Sequence, residues 1–209
     1  MAEDLLLYTH PMSRGRIARW MLEETGLPYR AETLPFGASM KHAEYRLLNP
    51  MGKVPTLVHG QTVVTECAAI CAYLADAFPE ANLAPPVKER GDYYRWLFYA
   101  AGPLEAATTN RTLGVEVSPE RERMVGYGTY ADVMETLERA VASHTYIGGH
   151  RFSAADVYVG SQIGWGMQFG SIEKRPAFVD YFARLSERPA YKRASEIDNA
   201  LAGEMQAAS

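Results

Sequence analysis

The residues best placed to do chemistry come early in the chain. In "LLLYTHPMSRGRIARW" an apolar run from Leu5 to Tyr8 meets a proline, one hydroxyl at Ser13 and three arginines, and an amphipathic pattern follows at once. If a strand ends there and a helix begins, Ser13 stands beside unpaired N–H groups and the positive end of a helix dipole. Arg14 and Arg16 add positive potential. A hydroxyl in that setting can donate to an anion and stabilise it. Serine is also a preferred helix cap, which requires no chemistry. The two roles are compatible, because a hydroxyl that caps with its lone pairs keeps a proton to give. Tyr8 offers a phenol instead, or packs as a strand aromatic with its OH at the rim. Thr9 is a third, lesser hydroxyl.

Other reactive types are sparse. Cys67 and Cys71 lie four apart in "TECAAICAYLADAF", on a helical stripe with Ile70, Leu74 and Phe78, and read as small core residues. The five histidines are scattered without ligand spacing, so no metal is expected. A formal charge of −4 argues against nucleic acid as a partner, which would want a basic face. No apolar run approaches the roughly 20 residues that a membrane span needs. The opening "MAEDLLLYTHP" is acidic where a signal peptide is basic. A cytoplasmic protein with no membrane partner is the expectation.

Two kinds of structure must position these groups. The first 80 residues mix periods. Leu5 to Tyr8 reads as a strand, "SRGRIARWMLEETG" as a helix closed by Gly26, and Tyr29 to Leu34 as a second strand. That order predicts a parallel βαβ unit. After the irregular "PFGASMKHAEYRLLNPMGK", the run "PTLVHGQTVVT" reads as a hairpin turning at His59-Gly60-Gln61, before a helix from Cys67 to Phe78. Pro79, Pro85 and Pro86 mark a linker, and beyond it the period is helical. "YYRWLFYAAGPLEAATTN" predicts a central helix kinked near Gly102-Pro103. "SPERERMVGYGTYADVMETLERAVAS" predicts a long helix capped by Ser118 with Pro119 next, and Ser153 with Asp156 has capping-box spacing. Two last helices part at Pro189. The class is α/β plus all-α, with a βαβ-ββα domain over 1–80, a linker over 81–87 and a helical bundle over 88–209.

In "NPMGKVPTLVHGQTVVTECAAICAYLADAFP" an Asn-Pro, a Gly-Lys-Val-Pro turn, a hairpin, Glu-Cys and a helix carrying Tyr-Leu follow in order. This segment resembles the glutathione-site segment of the glutathione S-transferases. "HPMSRGRIARWMLEETGLPY" and "FSAADV" fit the same family, so the resemblance spans essentially the whole chain, cytosolic in type and bacterial in look. It implies a thioredoxin-like first domain, glutathione as co-substrate with no tightly bound cofactor, and a homodimer. A cis Pro55 would turn the strand edge outward and free the N–H and C=O of Val54 to pair with glutathione as with an added strand. A trans turn is the plain alternative. The resemblance puts Glu66 and Cys67 at the γ-glutamyl end of glutathione. The family's usual serine is Cys67 here, a poorer donor. Lys53 resembles the lysine near the glycyl carboxylate, with Lys41, His42 and Asn49 as lesser candidates.

The family's chemistry needs the glutathione sulfur as a thiolate, whereas a free thiol of pKa about 8.5 is only a few per cent ionised at neutral pH. Serine-type members keep an activating hydroxyl in the region of Ser13, and tyrosine-type members keep a phenol at the end of the first strand, where Tyr8 stands. The cysteine type is excluded, since no cysteine precedes position 67. Ser13, Tyr8 or neither remains open. The resemblance implies conjugation to an apolar electrophile in a cleft between the domains, in a detoxification role. Met12, Tyr99, Leu104, Trp165 and Phe169 are candidates to line that cleft, and each reads equally as core. Alternatives are a non-catalytic glutathione or ligand-binding protein of the same fold, or a glutathione-dependent peroxidase or disulfide reductase. A zeta-type isomerase fits least, because its double serine plus cysteine is missing from "HPMSRG".

Overall fold

The computed structural model describes residues 4–207. They form two compact units, one reaching to Leu83 and taking in the segment from Glu187 onward, the other covering Ala84–Ser186.

The first unit is built on four strands, β1 (Leu5–Thr9), β2 (Arg30–Thr33), β3 (Thr56–His59) and β4 (Thr62–Thr65), in the order β2-β1-β3-β4. β1 and β2 run parallel through α1 (Gly15–Thr25), and β3 is antiparallel to both its neighbours. Two short helices, α2 (Ala38–Lys41) and α3 (Ala43–Leu48), occupy the irregular stretch, and α4 (Cys67–Ala77) follows the hairpin. Alternation along β1 sorts the faces, with Leu5, Leu7 and Thr9 buried and Leu6 and Tyr8 only partly so. Thr9 lies against Gly15, so α1 covers that face. Tyr8 meets Tyr45 of α3 on the other, with ring centroids 5.4 Å apart.

In the second unit α5 (Gly91–Tyr99) runs through a π-helical stretch, Ala100–Leu104, into α6 (Glu105–Thr112). Pro103 has no N–H to give and its ring crowds the preceding turn; the wider turn absorbs both, at the expected kink. The helix expected from Ser118 does not form. Pro119–Met124 makes only a 3-10 turn, and α7 (Tyr130–Ser143) opens instead at Thr129, whose hydroxyl accepts the Asp132 N–H at 3.1 Å. Gly128 stands at φ 69°, off the helical path, so the helix restarts at the next good cap. α8 (Ala154–Phe169) opens with the expected capping box of Ser153 and Asp156, and α9 (Pro176–Ser186) follows.

α10 (Pro189–Ala207) returns to the first unit and packs on α1. Arg19 Nε donates to Asp198 Oδ1 at 2.9 Å, with both side chains buried. Trp20 stands edge-on to Tyr191 at 5.0 Å, and Arg188 grips both Glu24 carboxylate oxygens at 2.6 and 2.7 Å. The architecture is the α/β plus all-α class, with a thioredoxin-like first part. Among the described residues no helix is long and apolar enough to cross a membrane.

Candidate active site

The register of the sheet gathers the site. Tyr8 of β1 stands opposite Thr56 of β3, and Thr56 stands opposite Thr65 of β4. One residue further, all three strands leave the sheet at the same end. The turn from Thr9 to Ser13, the approach through Val54 and Pro55, and the start of α4 at Glu66 and Cys67 therefore emerge side by side. A 3.5 Å bond from Cys67 Sγ to the Arg14 carbonyl ties the two helix starts together.

The Val54–Pro55 peptide is cis. Among the described residues nothing pairs with the N–H or C=O of Val54. The approach to it is held from behind. Tyr45 OH and Asn49 Nδ2 donate to the Lys53 carbonyl at 2.7 and 2.8 Å, and Asn49 Nδ2 also reaches Thr56 Oγ1 at 3.2 Å. Asn49 is thus buried scaffold. Lys41 is a staple too, its Nζ donating to the Met51 and Gly52 carbonyls, both at 2.8 Å. His42 is exposed at the start of α3, and the exposed Lys53 ammonium has no partner among the described residues.

At the start of α4, Glu66 stands exposed at φ 66°, an uncommon backbone for a residue other than glycine. Its carbonyl accepts the Ile70 N–H at 2.9 Å, while the N–H groups of Cys67, Ala68 and Ala69 have no acceptor among the described residues. Three free donors at the positive end of a helix make a cradle for an anion. Cys67 and Cys71 are both free thiols and buried, and a hydrogen bond with Cys67, with burial added, pushes the Cys71 thiol up.

Ser13 serves the helix start. Its hydroxyl donates to the His10 carbonyl at 2.7 Å and accepts the Gly15 N–H at 2.9 Å. His10 organises the same turn, its Nδ1 accepting the Met12 N–H at 3.0 Å and its carbonyl the Ser13 N–H at 3.1 Å. Burial pulls the His10 pKa below its ordinary value, which keeps the ring neutral and able to accept. Arg16 donates to the Pro11 carbonyl at 3.3 Å and to Asn199 Oδ1 at 2.7 Å, while Arg14 is exposed. Burial and the nearby Glu32 charge raise the Tyr8 pKa, so this phenol keeps its proton. Thr9 Oγ1 is buried without a partner among the described residues, and Met12 is 60% exposed.

The remaining candidates lie in the second unit. Tyr99 OH donates to the Val133 carbonyl at 2.7 Å, and burial pushes its pKa up to about 12. Leu104 is fully buried, Trp165 is half-buried and Phe169 is 74% exposed. Sequence reasoning missed His10 and Tyr45. The signal for His10 was its place between a strand and Ser13; Tyr45 sits in a stretch without a clear period. Among the described residues no group of three His, Cys, Asp or Glu side chains is placed to hold a metal.

Known proteins are similar to this chain in sequence and fold. Residues 12–77 match the family described as glutathione S-transferase, N-terminal domain. Glutathione S-transferase GstA of Escherichia coli O157:H7 is 30% identical over 168 residues, covering 77% of this chain and 78% of that protein. A glutathione transferase from Methylococcus capsulatus superposes with a TM-score of 0.77 at 27% identity, over 94% of this chain and 99% of that one. A theta class glutathione S-transferase from Xanthomonas axonopodis pv. citri, solved with glutathione bound, reaches 31% identity and a TM-score of 0.71 over 92% and 97% of the two chains. With relatives this similar along most of its length and the sheet-end geometry in place, the chain belongs to the glutathione S-transferase family.

Proposed function

We propose that the chain binds glutathione along Val54 and conjugates its sulfur to an apolar electrophile. The observation that carries this is the unpaired N–H and C=O of Val54, beside three free N–H groups of α4. The cysteinyl residue pairs with Val54 as an added strand, and the γ-glutamyl carboxylate takes the N–H groups at the start of α4. Glu66 meets the ammonium group and Lys53 the glycyl carboxylate. Cys67 lends its N–H but no hydroxyl, a loss of about 1 kcal/mol in affinity.

Ser13 is the proposed donor to the sulfur. Its proton must leave the His10 carbonyl, so one neutral hydrogen bond is exchanged for a charge-assisted one roughly twice as strong. The bond from Gly15 N–H is untouched by that rotation. Lowering a thiol pKa by two units takes nearly 3 kcal/mol, within reach of such a bond together with the α1 dipole and Arg14. The thiol proton passes to solvent, and the thiolate attacks an electrophilic carbon, forming the C–S bond as the carbon's leaving group (chloride, for an aryl chloride) departs with its bonding pair. Met12, exposed beside Ser13, is the proposed contact for the electrophile. A cytoplasmic homodimer completes the proposal.

A non-catalytic glutathione-binding protein is the second reading. One observation favours it: the Ser13 proton already has an acceptor at 2.7 Å. Retention on immobilised glutathione, combined with turnover of an activated aryl chloride followed by absorbance, separates the two. We expect retention and turnover, with Ser13→Ala lowering turnover at least about tenfold while retention persists and Tyr8→Phe has little effect. Retention without turnover selects the second reading, and no retention rejects both.

A further inference from the structure

The turn that presents Ser13 is held by a residue to which the proposed reaction gives no part. His10 Nδ1 accepts the Met12 N–H at 3.0 Å, and the His10 carbonyl accepts the Ser13 N–H at 3.1 Å and the Ser13 hydroxyl at 2.7 Å. A ring nitrogen that accepts the N–H two residues ahead does what an Asn side chain does in an Asx turn. To accept, Nδ1 must be bare, which assigns the ring proton to Nε2. The ring is 5% exposed and lies on Phe36 with centroids 3.8 Å apart, so its orientation is fixed. Among the described residues the Met12 N–H has no other acceptor.

We infer that His10 is a positioning residue: through Nδ1 it sets the 10–13 turn and with it the place of the Ser13 hydroxyl. The inference rests on the reading of Ser13 as the donor to the glutathione sulfur. Because the groups assigned to glutathione binding lie on Lys53, Val54, Glu66 and the first turn of α4, losing the Nδ1 contact lowers kcat and spares the affinity for glutathione.

Two variants separate the ring from its acceptor. His10→Asn keeps an acceptor and loses the stack on Phe36, whereas His10→Phe keeps the stack and loses the acceptor. We expect His10→Asn to hold kcat within about threefold of wild type and His10→Phe to lose at least about tenfold, with KM for glutathione moving less than about twofold in either. Hydrogen exchange of the Met12 amide, followed by NMR, should be slow in wild type and His10→Asn and at least about tenfold faster in His10→Phe. Equal losses in the two variants, a larger loss in His10→Asn, or slow Met12 exchange in His10→Phe would each overturn the inference. If the wild-type chain shows no turnover, the proposed reaction is rejected, and the exchange measurement alone decides whether His10 sets the turn.

Discussion

Gly15 has no room for a methyl group. A Cβ there would overlap Thr9 Oγ1 and stand 3.0 Å from Ser13 Oγ, and both are short side chains on anchored backbone. Gly15→Ala must therefore turn the Thr9 side chain aside and press on the Ser13 hydroxyl or the first turn of α1. We expect turnover to fall about tenfold and stability by about 1–3 kcal/mol, read by aryl chloride assay and urea unfolding. Unchanged turnover would contradict the place given to Ser13. The same residues show what a sequence reveals at this scale. Ser13 stood out because a reactive type fell at a boundary between periods, and Glu66 because its segment resembles the glutathione-site segment of the family. His10 and Tyr45 did not, because their partners are the backbone groups of turns, which leave no spacing to read.

Helix starts were legible where side chain and cap agree, as at Ser153 and Asp156, and misread where glycines break the period, as between Ser118 and Thr129. The α8 cap has a measurable consequence. Asp156 accepts from Ile147 N–H, Ser153 N–H, Ser153 Oγ and Tyr181 OH, yet burial still pushes its carboxyl from 3.8 up to about 6. Between those two values the folded chain holds a proton that the unfolded chain has released, so stability falls as pH rises through the window and levels off above it. The stability of wild type minus that of Asp156→Asn should shrink by up to about 3 kcal/mol from roughly pH 4 to pH 7. Urea unfolding at the two ends checks this, and a constant difference would contradict it.

At the scale of the whole molecule, the last helix closes the first unit. Arg19 and Asp198 meet across 179 residues, and no periodicity announces that partnership, since a helical stripe shows which face is apolar and not what covers it. Asp198→Ala would strand the buried Arg19 guanidinium and should cost about 3–5 kcal/mol, while Arg19→Met combined with Asp198→Leu should be near neutral. Denaturant midpoints at equal slope distinguish the two, and an Asp198→Ala variant of wild-type stability would deny the pair its structural role. The sheet end was more legible than this closure because strands, hairpin and helix starts leave local pattern, and the resemblance to the family supplied the groups between them. It is also where the functional account is most exposed to test. The most direct measurement is an NMR titration of the intact chain with glutathione, following the backbone amides of Val54, Cys67, Ala68 and Ala69. The account predicts that all four shift together and gain exchange protection on one saturation curve; saturation with the Val54 amide unmoved would contradict it.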